Sequence, residues 1–240
     1  MSTQLWNGAW RTDQPGQRSH QRAREVVAPT GGIMRGKFPS RKNGRMVHHE
    51  GMLELDAIYL FEVSPYIASY AEQPRRYQYL DGDRQRKYTP DFELTLTDGN
   101  TVLVEVKAST SLQYEDIAHK LLCVRSHFER SGERFVVLTD EVLRAEPRQT
   151  NARMLCRSAR GLRASAAWAS SVHQRVKHLF PMSLQDASRQ LAPHGCDPST
   201  LILHRLIGCD MEEPIGPATW TFNQEESGHD WFRISQEFGF

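Results

Sequence analysis

An α/β fold is predicted for residues 33–148 by three observations: a helical run ended by Ser64-Pro65, two strand-like runs joined by an Asp-Gly turn, and a helix followed by a short apolar strand. Val47 to Glu62 reads as the first helix, with Glu50, Glu54, Ala57, Ile58 and Phe61 on neighbouring positions of one side. Glu54 therefore shares a face with apolar groups. Arg86 to Thr97 reads as a strand and Val102 to Lys107 as its return. Thr97-Asp-Gly-Asn100 forms the turn between them, because Asp-Gly and Gly-Asn tolerate positive φ. Ile67 to Tyr70 is a further apolar run. Leu112 to Arg130 carries Leu112, Ile117, Leu121, Val124 and Phe128 at helical spacing, and Arg134 to Thr139 reads as a buried strand.

The chemistry follows from the period of a strand, in which residues i and i+2 share a face. Glu105 and Lys107 point together, while Val104 and Val106 alternate with them toward a core. The hairpin returns Asp91, 14 residues earlier, toward Glu105. Two converging carboxylates repel unless a cation sits between them, and hard oxygen ligands suit Mg or Mn. A lysine beside such a metal orients or deprotonates a water, or stabilises charge growing on a phosphate. The expected activity is metal-dependent cleavage of a phosphodiester. Plainer readings compete: Glu-x-Lys is common as a solvated strand pair, and Glu54 has the option of an arginine partner. Glu50, near the helix start, would serve the helix dipole. Gln73 is either an orienting group or structural.

Six stretches carry a family resemblance: Gly36–Arg45, Glu50-x-x-x-Glu54, Tyr70-Ala-Glu-Gln-Pro74, Tyr88-Thr-Pro-Asp-Phe92, Glu105-Val-Lys107 and Phe135–Asp140. Over residues 35 to 142, in this order, they resemble the N-terminal domain of the TnsA family. That family supplies the endonuclease subunit of heteromeric Tn-type transposases. The resemblance implies a restriction-endonuclease-like mixed sheet flanked by helices. It also implies a subunit that cuts the 5′ ends of the element, while a DDE-type transposase, TnsB, cuts and joins the 3′ ends and an AAA+ ATPase, TnsC, regulates both. Carried over residue by residue, it places the helix carboxylate on Glu54, the strand metal ligands on Asp91 and Glu105, and the lysine on Lys107, with Mg or Mn as the cation. Some relatives have glutamine where Glu105 stands. Many have Glu-Ser where this chain has Glu50-Gly51.

Hydrophobic content of 39% and charged content of 25% are ordinary for a globular protein, and the 240 residues leave room for a second, smaller domain. No apolar run suits a membrane span, and the N-terminus has no apolar signal region. Cys123, Cys156, Cys196 and Cys209 are scattered without a CxxC pair, which fits reduced thiols in a bacterial cytoplasm. The net charge of +1 hides nine Arg or Lys residues between Arg11 and His49, set against Asp13 and Glu25. Residues 1–32 are expected to be a flexible phosphate-binding arm, and Lys37, Arg41, Lys42, Arg45 and His48 to touch DNA.

Residues 149–240 read as a small, mainly helical, winged-helix-like domain that binds a partner or DNA backbone. Ala152 to Phe180 is a basic helix closed by Pro181. Ser183-Leu-Gln-Asp186 is a capping box opening a helix to Leu191, a second helix runs from Ser199 to Ile207, and Ala218 to Phe222 is a wing-like strand. The second helix is mostly apolar and lacks the polar face that base reading needs. His194, Cys196, His204 and Cys209 match no usual zinc-finger spacing. Two other functions compete with the transposase subunit: a stand-alone restriction- or repair-type nuclease, and a catalytically silent adaptor that binds DNA ends. The complete set of Glu54, Asp91, Glu105 and Lys107 argues against the adaptor.

Overall fold

The computed structural model describes residues 35–159, 165–225 and 231–240. The expected arm, 1–32, and Arg160 and Arg163 of the basic C-terminal run lie outside the described residues. The chain divides into two compact units. The first takes the described residues through Ile58 together with Ile67–Glu141, and the second takes Tyr59–Tyr66 and Val142–Phe240.

The first unit opens with an antiparallel hairpin of β1 (Gly36–Ser40) and β2 (Arg45–His49), in which Lys37 faces His48 and Phe38 faces Val47. Asn43-Gly44 makes the turn, with Gly44 at φ 62. Val47 to His49, expected in the first helix, are therefore strand, and α1 covers Met52–Val63. Phe38 and Val47 are both buried and pair across the hairpin, so helical spacing cannot hold there. Gly36 sits against the His49 ring so closely that a Cβ would collide with its imidazole.

A four-stranded sheet runs in the order β3 (Ile67–Glu72), β6 (Phe92–Leu96), β7 (Thr101–Lys107), β8 (Phe135–Thr139). The first three strands are antiparallel, and β8 lies parallel to β7, reached through α2 (Glu115–Ser131). This is a mixed α/β sheet flanked by helices, compatible with a restriction-endonuclease-like fold. Between β3 and β6 comes a second hairpin, β4 (Tyr77–Asp81) with β5 (Arg84–Tyr88). The single strand expected over Arg86 to Thr97 is thus two. Pro90, which lacks an N–H, breaks it, so β5 pairs with β4 and β6 with β3 and β7. Leu112 lies in a 3₁₀ turn, Ser109–Gln113, ahead of α2. The β6–β7 turn forms as expected, with Gly99 at φ 86 and Asp98 Oδ1 accepting from the Asn100 N–H. Leu103 from β7, Leu121, Val124 and Phe128 from α2, Phe135 from β8, and Tyr79 and Tyr88 from the second hairpin form one core cluster.

In the second unit α3 (Asp140–Leu143) is completed and followed by α4 (Arg148–Ser158) and α5 (Ala166–Val176). The single helix expected over Ala152 to Phe180 is therefore interrupted, and Ser165 caps α5 by accepting from the Trp168 N–H. Then come β9 (Met182–Ser183), α6 (Leu184–Leu191), α7 (Pro198–Leu203), β10 (Ile207–Cys209) and β11 (Trp220–Asn223). Ser183 caps α6 by accepting from Asp186 N–H, as its capping-box spacing predicts. Helix α7 stops at Leu203, because Ile207 enters β10. The Trp220–Asn223 strand joins both β10 and β9, giving the sheet order β10-β11-β9. A helix, a strand, two helices about the Gly195 turn, and two closing strands follow one another in this unit. Five of the six α7 residues are buried, and α4, α5 and α6 all pack on this helix.

Candidate functional site

Asp91 directly precedes β6, whose first residue, Phe92, pairs with Val104, so the antiparallel register sets Asp91 beside the Glu105 segment. The contact is specific: Val106 N–H donates to Asp91 Oδ2 at 2.7 Å. Glu105 sits on a central strand that is buried on both faces and is itself only 4% exposed. A carboxylate so placed needs partners, because desolvating an unpaired charge is costly. It has two: Tyr88 Oη donates to Oε2 at 2.6 Å, and Lys107 Nζ lies 3.1 Å from Oε1. Glu54 stands in the first turn of α1, where its Oε2 accepts from Glu50 N–H at 2.7 Å.

The electrostatics tie these groups together. Burial pushes the Glu54 carboxyl up to about 7, and the charges of Glu50 and Glu105 add to this while the Glu50 N–H and Lys107 oppose it. Burial, then Glu105, then Glu54 raise Asp91 well above the ordinary carboxylate range, against the Val106 N–H and Lys107. Burial pulls the Lys107 ammonium down. Glu105, Asp91 and Glu54 outweigh that and hold it above the ordinary lysine value. Lys107 is accordingly a fixed positive charge in the metal-free protein, suited to holding a phosphate oxygen rather than to taking a proton. Tyr88 is raised by burial and then by Glu105, so its phenol stays a donor.

Asp91, Glu105, Tyr88 and Gln73 line a cleft of about 400 Å³ together with the exposed cations Arg76, Lys87 and Lys120. Lys120 lies 5.1 Å from the centre of the Tyr88 ring. Gln73 adopts φ 44, unusual for a non-glycine residue, and its N–H donates to the Asp91 carbonyl at 2.8 Å. Its Oε1 is buried with no hydrogen-bond partner. A second cleft of about 490 Å³, lined by Gln78, Leu80, Gln85, His127 and Arg130, contains none of the four carboxylate-site residues.

Of the expected DNA contacts, Lys37 is exposed on β1 opposite His48. Arg45 forks onto Glu72 at 2.9 and 2.6 Å, and Lys42 Nζ donates to the Ile67 carbonyl at 2.6 Å, so both hold the β1–β2 hairpin to β3. Arg41 lies in the turn. Glu50 faces Arg35 at 4.0 Å. The Tyr88-Thr-Pro-Asp-Phe92 motif gives Tyr88 no role by itself, and no local pattern marks Arg76, Lys87 or Lys120. The Asp81-Gly82 dipeptide after Tyr77-Gln-Tyr79 was the available hairpin signal, and it would have aimed Lys87 and Tyr88 at the cleft. Cys196 and Cys209 are buried thiols pushed up by burial to about 11 and about 12.

No curated protein matches the chain. Residues 64–140 match the family model described as TnsA-like endonuclease N terminal, a stretch that contains Asp91, Glu105 and Lys107 and leaves Glu54 just outside. Residues 64–140 are thus similar to a TnsA-like endonuclease N-terminal domain.

Proposed function

We propose that the protein is the metal-dependent DNA endonuclease of a heteromeric transposase, cutting the 5′, non-transferred strand at transposon ends. The observation that carries this reading is the convergence of Glu54, Asp91 and Glu105 on Lys107, with Glu54 and Asp91 both raised by burial and by their neighbours' charge. The donor set is all carboxylate oxygen, the chemistry of Mg and Mn sites, and a divalent cation relieves the repulsion that lifts these groups. Asp91 and Glu105 would hold the ion from the strands, and Glu54 from the helix. When bound, it polarises a phosphate oxygen and lowers the pKa of a water.

The chain's own residues do the rest. Val106 N–H fixes one Asp91 oxygen and leaves the other to the cleft. Tyr88 fixes Glu105 from beneath. Lys107 offers its ammonium to charge building on the phosphate, and preorganised charge of this kind is a large catalytic term. Arg76, Lys87 and Lys120 supply backbone contacts that position DNA without reading its sequence. A DDE-type transposase and an AAA+ ATPase, TnsB-like and TnsC-like, are the expected partners, and the bacterial cytoplasm the expected compartment. Among the described residues no helix is long and apolar enough to cross a membrane.

The test is cleavage of a transposon-end duplex, each strand end-labelled in turn, with the partner transposase present. A break in the 5′ strand in Mg or Mn, and none in Ca or chelator, is expected. A break confined to the 3′ strand, or one indifferent to chelator, overturns the reading.

A further inference from the structure

A second cluster of metal-type donors lies in the first unit and shares no residue with the carboxylate site. Asp81 ends β4 at the tip of the second hairpin, while His119 and Cys123 stand four residues apart on α2 and so occupy one helix face. His119 Nε2 is 2.8 Å from Asp81 Oδ1 and 3.6 Å from Cys123 Sγ. Taken together, one ligand atom from each residue lies within 4.8 Å of the other two.

Hydrogen bonding accounts for the 2.8 Å Asp81–His119 edge but leaves the Cys123 sulfur only a weak contact. The single Nε2 atom faces both a carboxylate oxygen and a sulfur, and its one hydrogen serves one of them well. A cation at their focus serves all three. Metal–sulfur and metal–nitrogen bonds of about 2.3 and 2.0 Å around a tetrahedral ion put sulfur and nitrogen about 3.5 Å apart. The 3.6 Å observed matches that edge. The Asp81–His119 edge opens by about 0.5 Å to reach tetrahedral spacing. Asp81 is already oriented, because Arg86 Nε donates to its other oxygen at 3.1 Å, the kind of outer contact that fixes a metal ligand. The His119 side chain is 61% exposed, which leaves an entry path and a position for water. Thiolate and imidazole donors select zinc over Mg or Ca.

We propose that Asp81, His119 and Cys123 bind one Zn²⁺ ion, with water as the fourth ligand, clipping the β4–β5 hairpin to α2. On binding, the Cys123 thiol gives its proton to solvent and the thiolate sulfur takes the coordinate bond. The same hairpin ends in Tyr88, which holds Glu105, so the clip fixes one wall of the cleft. The site stands independently of the nuclease reading.

The experiment adds Co²⁺, a spectroscopic stand-in for zinc, to the untagged, reduced full chain. A thiolate-to-cobalt absorption band in the near ultraviolet, saturating at one equivalent and displaced by Zn²⁺, is expected. Cys123→Ser and His119→Ala should lose it, while Asp91→Ala, altered only at the carboxylate cluster, should keep it. Thermal melts should show Zn²⁺ stabilising the wild type and Asp91→Ala but not Cys123→Ser. Absence of the band from the wild type, or its survival in Cys123→Ser, overturns the proposal.

Discussion

Glu105 in the first unit and Leu201 in the second are both sealed from solvent, at 4% and 0% exposure, yet they mean opposite things. A buried leucine explains itself by packing. A buried carboxylate needs compensation, and around Glu105 the chain supplies Tyr88 and Lys107 and sets Asp91 and Glu54 nearby, a concentration of charge with no packing purpose. Conversely, the second of two helices about a turn, as expected of a winged-helix-like domain, would ordinarily be presented to DNA, but α7 is spent on packing against α4, α5 and α6. The contrast teaches that function is read from what a unit buries rather than from its topology.

The largest effect that would break this contrast is at Lys107. Lys107→Ala should slow cleavage at least about a hundredfold, the usual loss for a preorganised group facing developing charge. Single-turnover rates on end DNA check this, and an unimpaired rate removes Lys107 from the site.

Acid–base linkage gives the next. Because folding raises Glu54 from 4.5 to about 7, the native state holds more protons than the unfolded chain between those values. The metal-free protein should therefore lose stability as pH rises from about 5 through 7, by about 3 kcal/mol from Glu54, and Asp91 acts in the same direction. Glu54→Gln should flatten this loss, and Mg²⁺ should stabilise the wild type more at pH 7.5 than at pH 5.5. Denaturant melts across pH measure both.

Smaller again is Tyr88→Phe, which strips Glu105 of one charged hydrogen bond worth about 1.5–3 kcal/mol and should cut the rate roughly tenfold or more. In the second unit, Leu201→Ala should cost about 2–5 kcal/mol of that unit's stability. Ser199→Ala, at the one α7 position not buried, should leave DNA affinity and any preference for end sequence within about twofold. A footprint on end DNA beside a scrambled duplex is the measure, and a loss of preference in Ser199→Ala would return α7 to base reading.

Much of the carboxylate cluster was legible because strand period and turn chemistry are local: Asp98-Gly99 fixes the hairpin, and Glu105 and Lys107 follow from alternation. The Ser183 cap was legible for the same reason. What escaped was pairing. Arg86–Tyr88 and Phe92–Leu96 look like one strand until Pro90 is weighed, and Val47 looks helical until Phe38 is found across from it. Likewise nothing local reveals that Arg45 pairs with Glu72, which lies 27 residues further along the chain. The Asp81, His119 and Cys123 grouping depends on the same long-range hairpin, so the cysteine spacing alone gave no hint of it.

Whether Asp91 and its neighbours form a metal-bound phosphodiesterase centre is decided by titrating Mg²⁺ calorimetrically into the wild type and into Asp91→Ala at pH 7.5, and assaying the same samples for cleavage of end DNA. Saturable binding and Mg²⁺-dependent cutting are expected in the wild type, and loss of both in a variant that still folds. Cleavage by Asp91→Ala at the wild-type rate would contradict such a centre.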